Sequence, residues 1–198
     1  MRRIQNAIPC ALAMVFTLAA QNPKPSCDRC AASYIGKDEL DAYLKRAPQM
    51  MANAVADQQV RVADIGKSNV AVGVVYRNGT QASGSAVAEH DLVSEVYYIL
   101  DGAATLATGW DIVGLERRPA SNRNVRMLNG PGGNGSSIRN PATYELKAGD
   151  AIIIPAGVGH WFTKVDDHIR YLIIRIDPDK VTPRKDEAES KADLRGER

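Results

Sequence analysis

Two histidines and one glutamate are the residues of this chain whose types and spacing best support chemistry. Four residues separate His90 from Glu95, and His160 lies much further along the chain. Two imidazoles and a carboxylate form a ligand set for a divalent transition metal, and three protein ligands leave coordination positions open for water, dioxygen or substrate. A single histidine near an apolar strand is more often a hydrogen-bonded core residue than a metal ligand, and a single glutamate more often faces solvent. The metal hypothesis therefore requires that all three converge.

The stretch from Gly149 to His160 predicts how one imidazole is held. A turn at Gly149-Asp150 precedes the aliphatic run 151–154, which is typical of a buried strand. Pro155 ends this strand because proline cannot donate to a sheet ladder, and the glycines that follow allow a tight reversal. The chain then enters a second apolar strand that begins with His160. If side chains alternate there, Trp161 points away from His160 and serves in packing or in a dimer contact.

Glu95 begins another predicted strand. If its side chain points into a barrel, the side chains of Tyr97 and Ile99 do so too, because strand residues alternate between faces. Tyr97 is then either a hydrogen-bond donor to the site or a core residue. We keep it as a candidate catalytic residue.

Short strands alternate with turns along the middle of the chain. No helical pattern separates them, which indicates a β-sandwich or β-barrel. The predicted strands are Val60–Ile65, Val70–Tyr76, Glu95–Leu100, Ala103–Thr108, Tyr144–Leu146, Ala151–Ile154, Trp161–Lys164 and Arg170–Ile176.

Two segments resemble the paired motifs of the cupin family of small β-barrels. The first cupin motif has two histidines separated by one residue, then a glutamate and, after a gap of six residues, a glycine. The second motif has glycine, proline, glycine, histidine and asparagine at fixed spacings. The matching residues are His90, Glu95 and Gly102 in the first motif and Gly149, Pro155, Gly157 and His160 in the second. The resemblance covers about residues 70–176. It implies an all-β, cupin-type barrel (a double-stranded β-helix or jelly roll), preceded here by a short helix, with His90, Glu95 and His160 as metal ligands and with a homodimer as the assembly.

The chain departs from the cupin pattern at two positions. Ala88 stands where the first histidine of the family would be, and Lys164 stands where an asparagine would be. The alanine either opens the site for substrate or marks a cupin that is losing its metal. We expect Lys164 to share a face with His160, so that it either contacts an anionic substrate as a candidate catalytic residue or snorkels to the barrel mouth. His168, beside the next strand, is a candidate replacement for the missing ligand.

The ligand types allow iron, manganese, copper, zinc or nickel. Three functions follow from the resemblance. The first is a metal-dependent enzyme that acts on a small organic molecule or sugar derivative, as an oxygenase-like oxidoreductase, a lyase or an isomerase. The second is a non-catalytic carbohydrate- or metabolite-binding module with a weak or lost metal. The third is a storage-like structural barrel, which the single short domain disfavours.

The N-terminus has the pattern of a secretory signal peptide. Arg2 and Arg3 precede an uncharged, largely apolar stretch from Ala7 to Ala20, which is short for a membrane-spanning helix. We predict a signal peptide over residues 1–20 and a secreted or periplasmic protein; an uncleaved anchor and a buried helix are the alternatives. Without the two arginines, the formal charge of +2 falls to about zero, which argues against a nucleic-acid partner.

Cys27 and Cys30 remain as an even pair once the segment carrying Cys10 is removed. In an oxidising compartment this pair favours a local disulfide over a redox motif or half of a zinc site.

The remaining segments complete the predicted organisation. Residues 21–58 form a linker with a short helix over Lys37–Arg46, whose apolar stripe packs on the outside of the barrel at residues 59–178. The polar, glycine-rich segment from Trp110 to Pro141 is either a binding loop or lid, or a solvated, mobile insertion, which we favour. Its arginines, suited to an anionic or polyhydroxylated ligand, are Arg117, Arg118, Arg123, Arg126 and Arg139. We expect residues 179–198 to be a disordered charged tail.

Overall fold

The computed structural model describes residues 24–52, 54–79 and 87–197. The predicted signal peptide at residues 1–20 lies outside these residues and stays a prediction, as do the domain boundaries drawn from the sequence. Within the described residues, no helix is both long enough and apolar enough to cross a membrane. The elements in chain order are helix α1 Lys37–Arg46, a 3-10 turn Ala47–Met50, β1 Val55–Asp64, β2 Asn69–Asn78, β3 Val87–His90, β4 Ser94–Gly109, β5 Ile112–Val113, β6 Glu116–Arg117, a π-helical turn Val125–Asn129, β7 Gly132–Gly135, β8 Ser137–Ile138, β9 Ala142–Lys147, β10 Ala151–Ile154, β11 Gly159–Asp177 and helix α2 Glu187–Leu194.

Two long antiparallel strands, β4 and β11, form the centre of the fold. They pair from Gly159 opposite Gly109 to Ile176 opposite Ser94, with three interruptions of the register. Strands β9 and β10 pair with β4, and β2 and β3 pair with β11. The sheet continues outward from β2 to β1 and from β3 through β7 to β6. This is the all-β, cupin-type barrel that the sequence predicts.

Four predicted strands merge into two. The sequence predicted Glu95–Leu100 and Ala103–Thr108 as separate strands, but both belong to β4, and both predicted strands around residues 161–176 belong to β11. Gly102 lies in β4 opposite Ile169, at an interruption of the register, and has a φ of 79°, which glycine adopts without strain. A Cβ at this position would lie 2.0 Å from the carbonyl oxygen of His168, so glycine also allows β4 and β11 to approach each other.

The main core fills the interior of the barrel and contains an aromatic stack. The ring centroids of Tyr97 and Tyr171 lie 4.6 Å apart, and Phe162 stacks on both rings. The other buried residues of this core are Val75, Ile99, Ala104, Leu106, Leu146, Ile154, Val165, Ile169 and Ile173. The aromatic stack lies beside the candidate site described below.

Helix α1 covers the outer side of β1 and β2, which confirms the sequence prediction. Tyr43 is fully buried there and packs with Val60 and Val74 in a second cluster. Val74 faces this cluster and Val75 faces the barrel interior, because neighbouring strand residues point to opposite faces. Near the start of the described chain, Cys27 and Cys30 form the expected disulfide.

The segment from Trp110 to Pro141 is structured, contrary to the expectation of a mobile insertion, although much of it is exposed to solvent. It contains four short strands and the π-helical turn. Strand β7 pairs with β3, with Gly132 opposite His90. A side chain at Gly133 would lie 2.8 Å from the carbonyl oxygen of Glu116. The glycines that suggested mobility instead let neighbouring backbones approach closely.

The expected disorder of the tail is wrong for residues 187–194, which form α2. Asp186 caps this helix, and its carboxylate and that of Glu189 satisfy each other's backbone N–H groups. Ser190 is fully buried and donates its hydroxyl to the carbonyl of Val60, while Tyr43 donates to the carbonyl of Ser190. Charge composition alone could not reveal these docking contacts.

Candidate metal centre

The three predicted ligand residues meet inside the barrel, although they lie on three different strands. His90 ends β3, Glu95 lies in β4 and His160 in β11, and each is buried. Nε2 of His90 lies 3.4 Å from Oε1 of Glu95, and Nε2 of His160 lies 3.5 Å from Oε2 of the same carboxylate. One ligand atom from each residue lies within 4.8 Å of the others, so the group could hold one metal ion.

The turn between β10 and β11 fixes the relative positions of the three strands. The backbone N–H of Gly157 donates to the carbonyl of His90 over 2.7 Å, and the N–H of Ala156 donates to the hydroxyl of Ser94 over 3.0 Å. Gly157 has a φ of 80°, a conformation that favours glycine. The proline-glycine turn therefore binds the backbone of His90 and the side chain of Ser94, the neighbour of Glu95, and it leads into His160 three residues after Gly157.

Both imidazoles are held in the neutral form that metal ligands require. Burial lowers the pKa of His90 to about 3, and burial also lowers the pKa of His160. Nδ1 of His160 lies 3.2 Å from the carbonyl oxygen of Val158, so this nitrogen carries the proton. Nε2 of His160 therefore presents its lone pair toward Glu95.

Glu95 is ionised between the two imidazoles. Burial alone would raise the pKa of its carboxyl group, but the positive charges of His90, Arg175 and His160, of which the two imidazoles are protonated only in acid, together with a hydrogen bond from Tyr97, lower that pKa to about 2. At neutral pH, where both imidazoles are uncharged, Arg175 and Tyr97 remain as the groups that stabilise the carboxylate. The Tyr97 hydroxyl donates to Oε2 over 2.7 Å, and Arg175 donates from Nε to Oε1 over 3.2 Å. Burial raises the pKa of Tyr97 well above its ordinary value, so its hydroxyl keeps its proton.

The donor set fits a divalent transition metal. Ligand atoms about 2.0–2.2 Å from one ion lie roughly 3–3.5 Å from each other, which matches the two distances between the carboxylate and the imidazoles. Two neutral imidazoles and one carboxylate suit a site that keeps coordination positions open. Tyr97 and Val158 supply the supporting hydrogen bonds that orient such ligands.

Lys164 and His168 do not join this group, contrary to their candidate roles. The register between β11 and β4 shifts between Phe162 and Lys164, so Lys164 no longer shares the inward face of His160. Its side chain is 68% exposed and pairs with Asp166. His168 lies at a second interruption of the register, and its ring nitrogens form hydrogen bonds with the carboxylates of Asp101 and Asp167.

Arg175 was missed by the sequence reasoning. Its side chain is buried and contacts Glu95, Gln59 and Asp57. Tyr171 and Ile173, the alternate residues before it on β11, face the core, so strand alternation could have revealed an inward arginine.

Asn129 was also missed. It is buried at the end of the π-helical turn, and its Nδ2 lies 3.0 Å from Nε2 of His90. It lies in an irregular segment with no periodicity, so no sequence signal pointed to it.

The three residues line a cavity of about 880 Å³. This volume suits a small organic molecule. Ala88, which stands at the position of the first cupin histidine, also lines the cavity and lies opposite His160 in the sheet. Six basic and four acidic side chains line the cavity: Arg46, Arg77, Arg118, Arg123, Arg184 and Lys185, and Asp57, Glu95, Glu189 and Asp193. The excess of positive charge favours an anionic ligand.

Comparisons with known proteins show limited similarity. No protein-family model matches the chain, and neither does any curated protein. A solved structure of DMSP lyases is 21% identical with a TM-score of 0.34; the match covers 54% of this chain and 37% of the other. The Clostridium difficile EutQ protein is 15% identical with a TM-score of 0.38, covering 67% and 80%. A Bacillus halodurans protein is 16% identical with a TM-score of 0.43, covering 83% and 98%. This chain thus spans little more than a third of the DMSP lyase chain, and at these identities no activity carries over.

The fold and the site together define a β-barrel protein with a candidate metal centre in the barrel interior. The three converging side chains are the residues that the cupin resemblance implies as metal ligands.

Proposed function

We propose that this protein is a metal-dependent cupin enzyme that acts on a small anionic or polyhydroxylated organic molecule. One observation carries the proposal: two neutral imidazoles and an ionised carboxylate converge in a cavity large enough for such a substrate. A bound ion would supply Lewis-acid polarisation for lyase or isomerase chemistry or, with a redox-active metal, oxidation of the substrate. Tyr97 holds the carboxylate in place, and the cationic lining attracts an anionic substrate group.

The proposal is tested by elemental analysis of the purified protein and two variants. We expect about one transition-metal ion per chain in the wild type and in His168→Ala, whose histidine lies outside the cluster, and none in His160→Ala. Absence of metal from the wild type after growth with iron, manganese, copper, zinc or nickel would contradict the proposal. Metal without oxygen uptake in the presence of anionic substrates would select lyase or isomerase chemistry over oxidation.

A non-catalytic binding module is the second candidate function. Arg175 already forms an ion pair with Glu95, so this carboxylate has a cationic partner without a metal. Together with Ala88 at a ligand position, this contact favours a barrel that binds a carbohydrate or metabolite and has lost its ion. Ligand binding that is equal in chelated and metal-loaded protein would favour this function over the enzyme.

Export and dimer formation complete the proposal. The N-terminal pattern predicts a secreted or periplasmic protein, and sequencing of the mature N-terminus would test removal of residues 1–20. The homodimer is implied by the cupin resemblance, and sedimentation velocity would detect it.

A further inference from the structure

An asparagine side chain lies beside the candidate metal ligands and is not fully hydrogen-bonded. Nδ2 of Asn129 lies 3.0 Å from Nε2 of His90. The residue is 6% exposed, and its Oδ1 has no hydrogen-bond partner among the residues that the structure describes. A buried amide oxygen without a partner is costly, so its position calls for an explanation.

The contact between Asn129 and His90 cannot persist when His90 binds a metal through Nε2. The lone pair of Nε2 would then be given to the ion and could not accept an N–H group. A half-turn of the amide exchanges its oxygen and nitrogen, two atoms of nearly the same shape. After that half-turn, Oδ1 occupies the position 3.0 Å from Nε2. Neighbouring ligands of one ion lie roughly 3–3.5 Å apart, so this is a position for a ligand atom.

We propose that Oδ1 of Asn129 is a fourth protein ligand of the metal, in place of the side chain that Ala88 lacks. This inference rests on the proposed function, because it requires that His90, Glu95 and His160 bind an ion. Ala88 lies opposite His160 and lines the same cavity, so its small side chain leaves room at the site. An amide oxygen from the 110–141 segment then completes a set of two nitrogen and two oxygen donors.

The backbone around Asn129 is held in place independently of any metal. Leu128, the residue before it, is 2% exposed. Gly130, the residue after it, has a φ of 64°, and a Cβ there would lie 2.3 Å from Cγ2 of Val181. The carbonyl of Pro131 accepts from the N–H of Asp91, next to His90. The amide therefore needs only a side-chain rotation to act as a ligand.

Titration of chelator-treated protein with Co²⁺ alone tests this inference, because the visible absorption of Co²⁺ reports on its ligands. Asn129→Leu keeps the size of the side chain and removes the donor, whereas Asn129→Asp keeps an oxygen donor. We expect Asn129→Leu to bind Co²⁺ about 10–100-fold more weakly and with a changed absorption spectrum. We expect Asn129→Asp to bind Co²⁺ at least as tightly as the wild type does. Adding Ala88→His to Asn129→Leu should restore binding. Asn124→Ala, an exposed asparagine at the start of the same turn, is the control and should bind as the wild type does.

The outcomes separate this inference from the proposed function. Unchanged affinity and spectrum in Asn129→Leu, with binding abolished in His160→Ala, would overturn the role of Asn129 and leave the three-ligand site intact. Failure of the wild type to bind Co²⁺ would overturn both. If Asn129→Leu does not fold, Asn129→Asp decides: weaker Co²⁺ binding than in the wild type would contradict the inference.

Discussion

The chemistry of the candidate site depends on an ionised carboxylate between two uncharged imidazoles. Burial keeps His90 and His160 neutral, and Arg175 and Tyr97 hold Glu95 in its charged form. These are the protonation states in which the residues can bind a metal at neutral pH without first releasing a proton. The site is thus prepared for a cation by groups that do not themselves bind it.

The low pKa of His90 makes the stability of the metal-free protein sensitive to acid. In the unfolded chain this imidazole takes up a proton near its ordinary pKa of 6.5, whereas in the folded chain it does so only near 3. The stability that this contributes is present above pH 6.5 and is lost as the pH falls toward 3, by up to about 1.4 kcal/mol per pH unit. We expect urea unfolding with a chelator present, at several pH values down to about pH 5, to show that the free energy of unfolding falls less steeply with pH in His90→Gln than in the wild type.

His168 provides the control of opposite sign. Its bond to Asp167 raises its pKa, so its contribution to stability is present below pH 6.5 and is lost as the pH rises. His168→Gln should therefore not reduce the loss of unfolding free energy at low pH. Identical pH dependence in the wild type and in His90→Gln would contradict the burial argument.

Arg175 should be one of the residues most important for stability. It is buried and bonded to Glu95, Gln59 and Asp57, so Arg175→Met leaves carboxylates without their partner. Removing one partner of a buried ion pair costs about 3–5 kcal/mol of unfolding free energy. Arg170→Met, which breaks the partly exposed ion pair with Asp101, should cost no more than about 1 kcal/mol. Equal losses in denaturant unfolding would show that Arg175 has no special role.

At the scale of elements, Gly102 allows the close approach of β4 to β11. Gly102→Ala forces a left-handed backbone on alanine and places Cβ 2.0 Å from the carbonyl oxygen of His168. Gly149→Ala meets the first problem only, because its φ is 90° and, apart from its two chain neighbours, no described residue has an atom within 4 Å of the added Cβ. Gly149→Ala, the control, should lose roughly 1–2 kcal/mol of unfolding free energy, and Gly102→Ala should lose clearly more. Similar losses in thermal unfolding would contradict the role of Gly102 in this approach.

The elements that the sequence predicted are those whose pattern is local. The run at residues 151–154, Pro155 and the following glycines specify strand, end and turn through backbone chemistry alone, and this turn places His160 correctly. The helix over Lys37–Arg46 was equally clear from its apolar stripe.

Long-range contacts explain the predictions that failed. The orientation of Lys164 follows from a register shift between β11 and β4, which strand alternation within one strand does not reveal. Helix α2 forms where Ser190 docks against Tyr43, and Asn129 reaches His90 through the pairing of β7 with β3. Each of these contacts joins residues distant along the chain.

At the scale of the whole molecule, an ion in the site would cross-link the three strands β3, β4 and β11. Such an ion stabilises the folded state by about 2.7 kcal/mol at a hundredfold excess over its dissociation constant. Thermal unfolding should therefore shift upward when Zn²⁺ is added to the chelator-treated wild type and to His168→Ala, but not when it is added to His160→Ala. Equal shifts in all three proteins would indicate metal binding elsewhere.

The most direct measurement of the central claim is anomalous X-ray scattering from crystals, recorded on both sides of the absorption edge of the metal found by elemental analysis. We predict one strong peak inside the barrel, about 2.0–2.2 Å from Nε2 of His90, Nε2 of His160 and an oxygen of Glu95. A peak only at the protein surface, or none at this position in fully metal-supplied protein, would contradict the account.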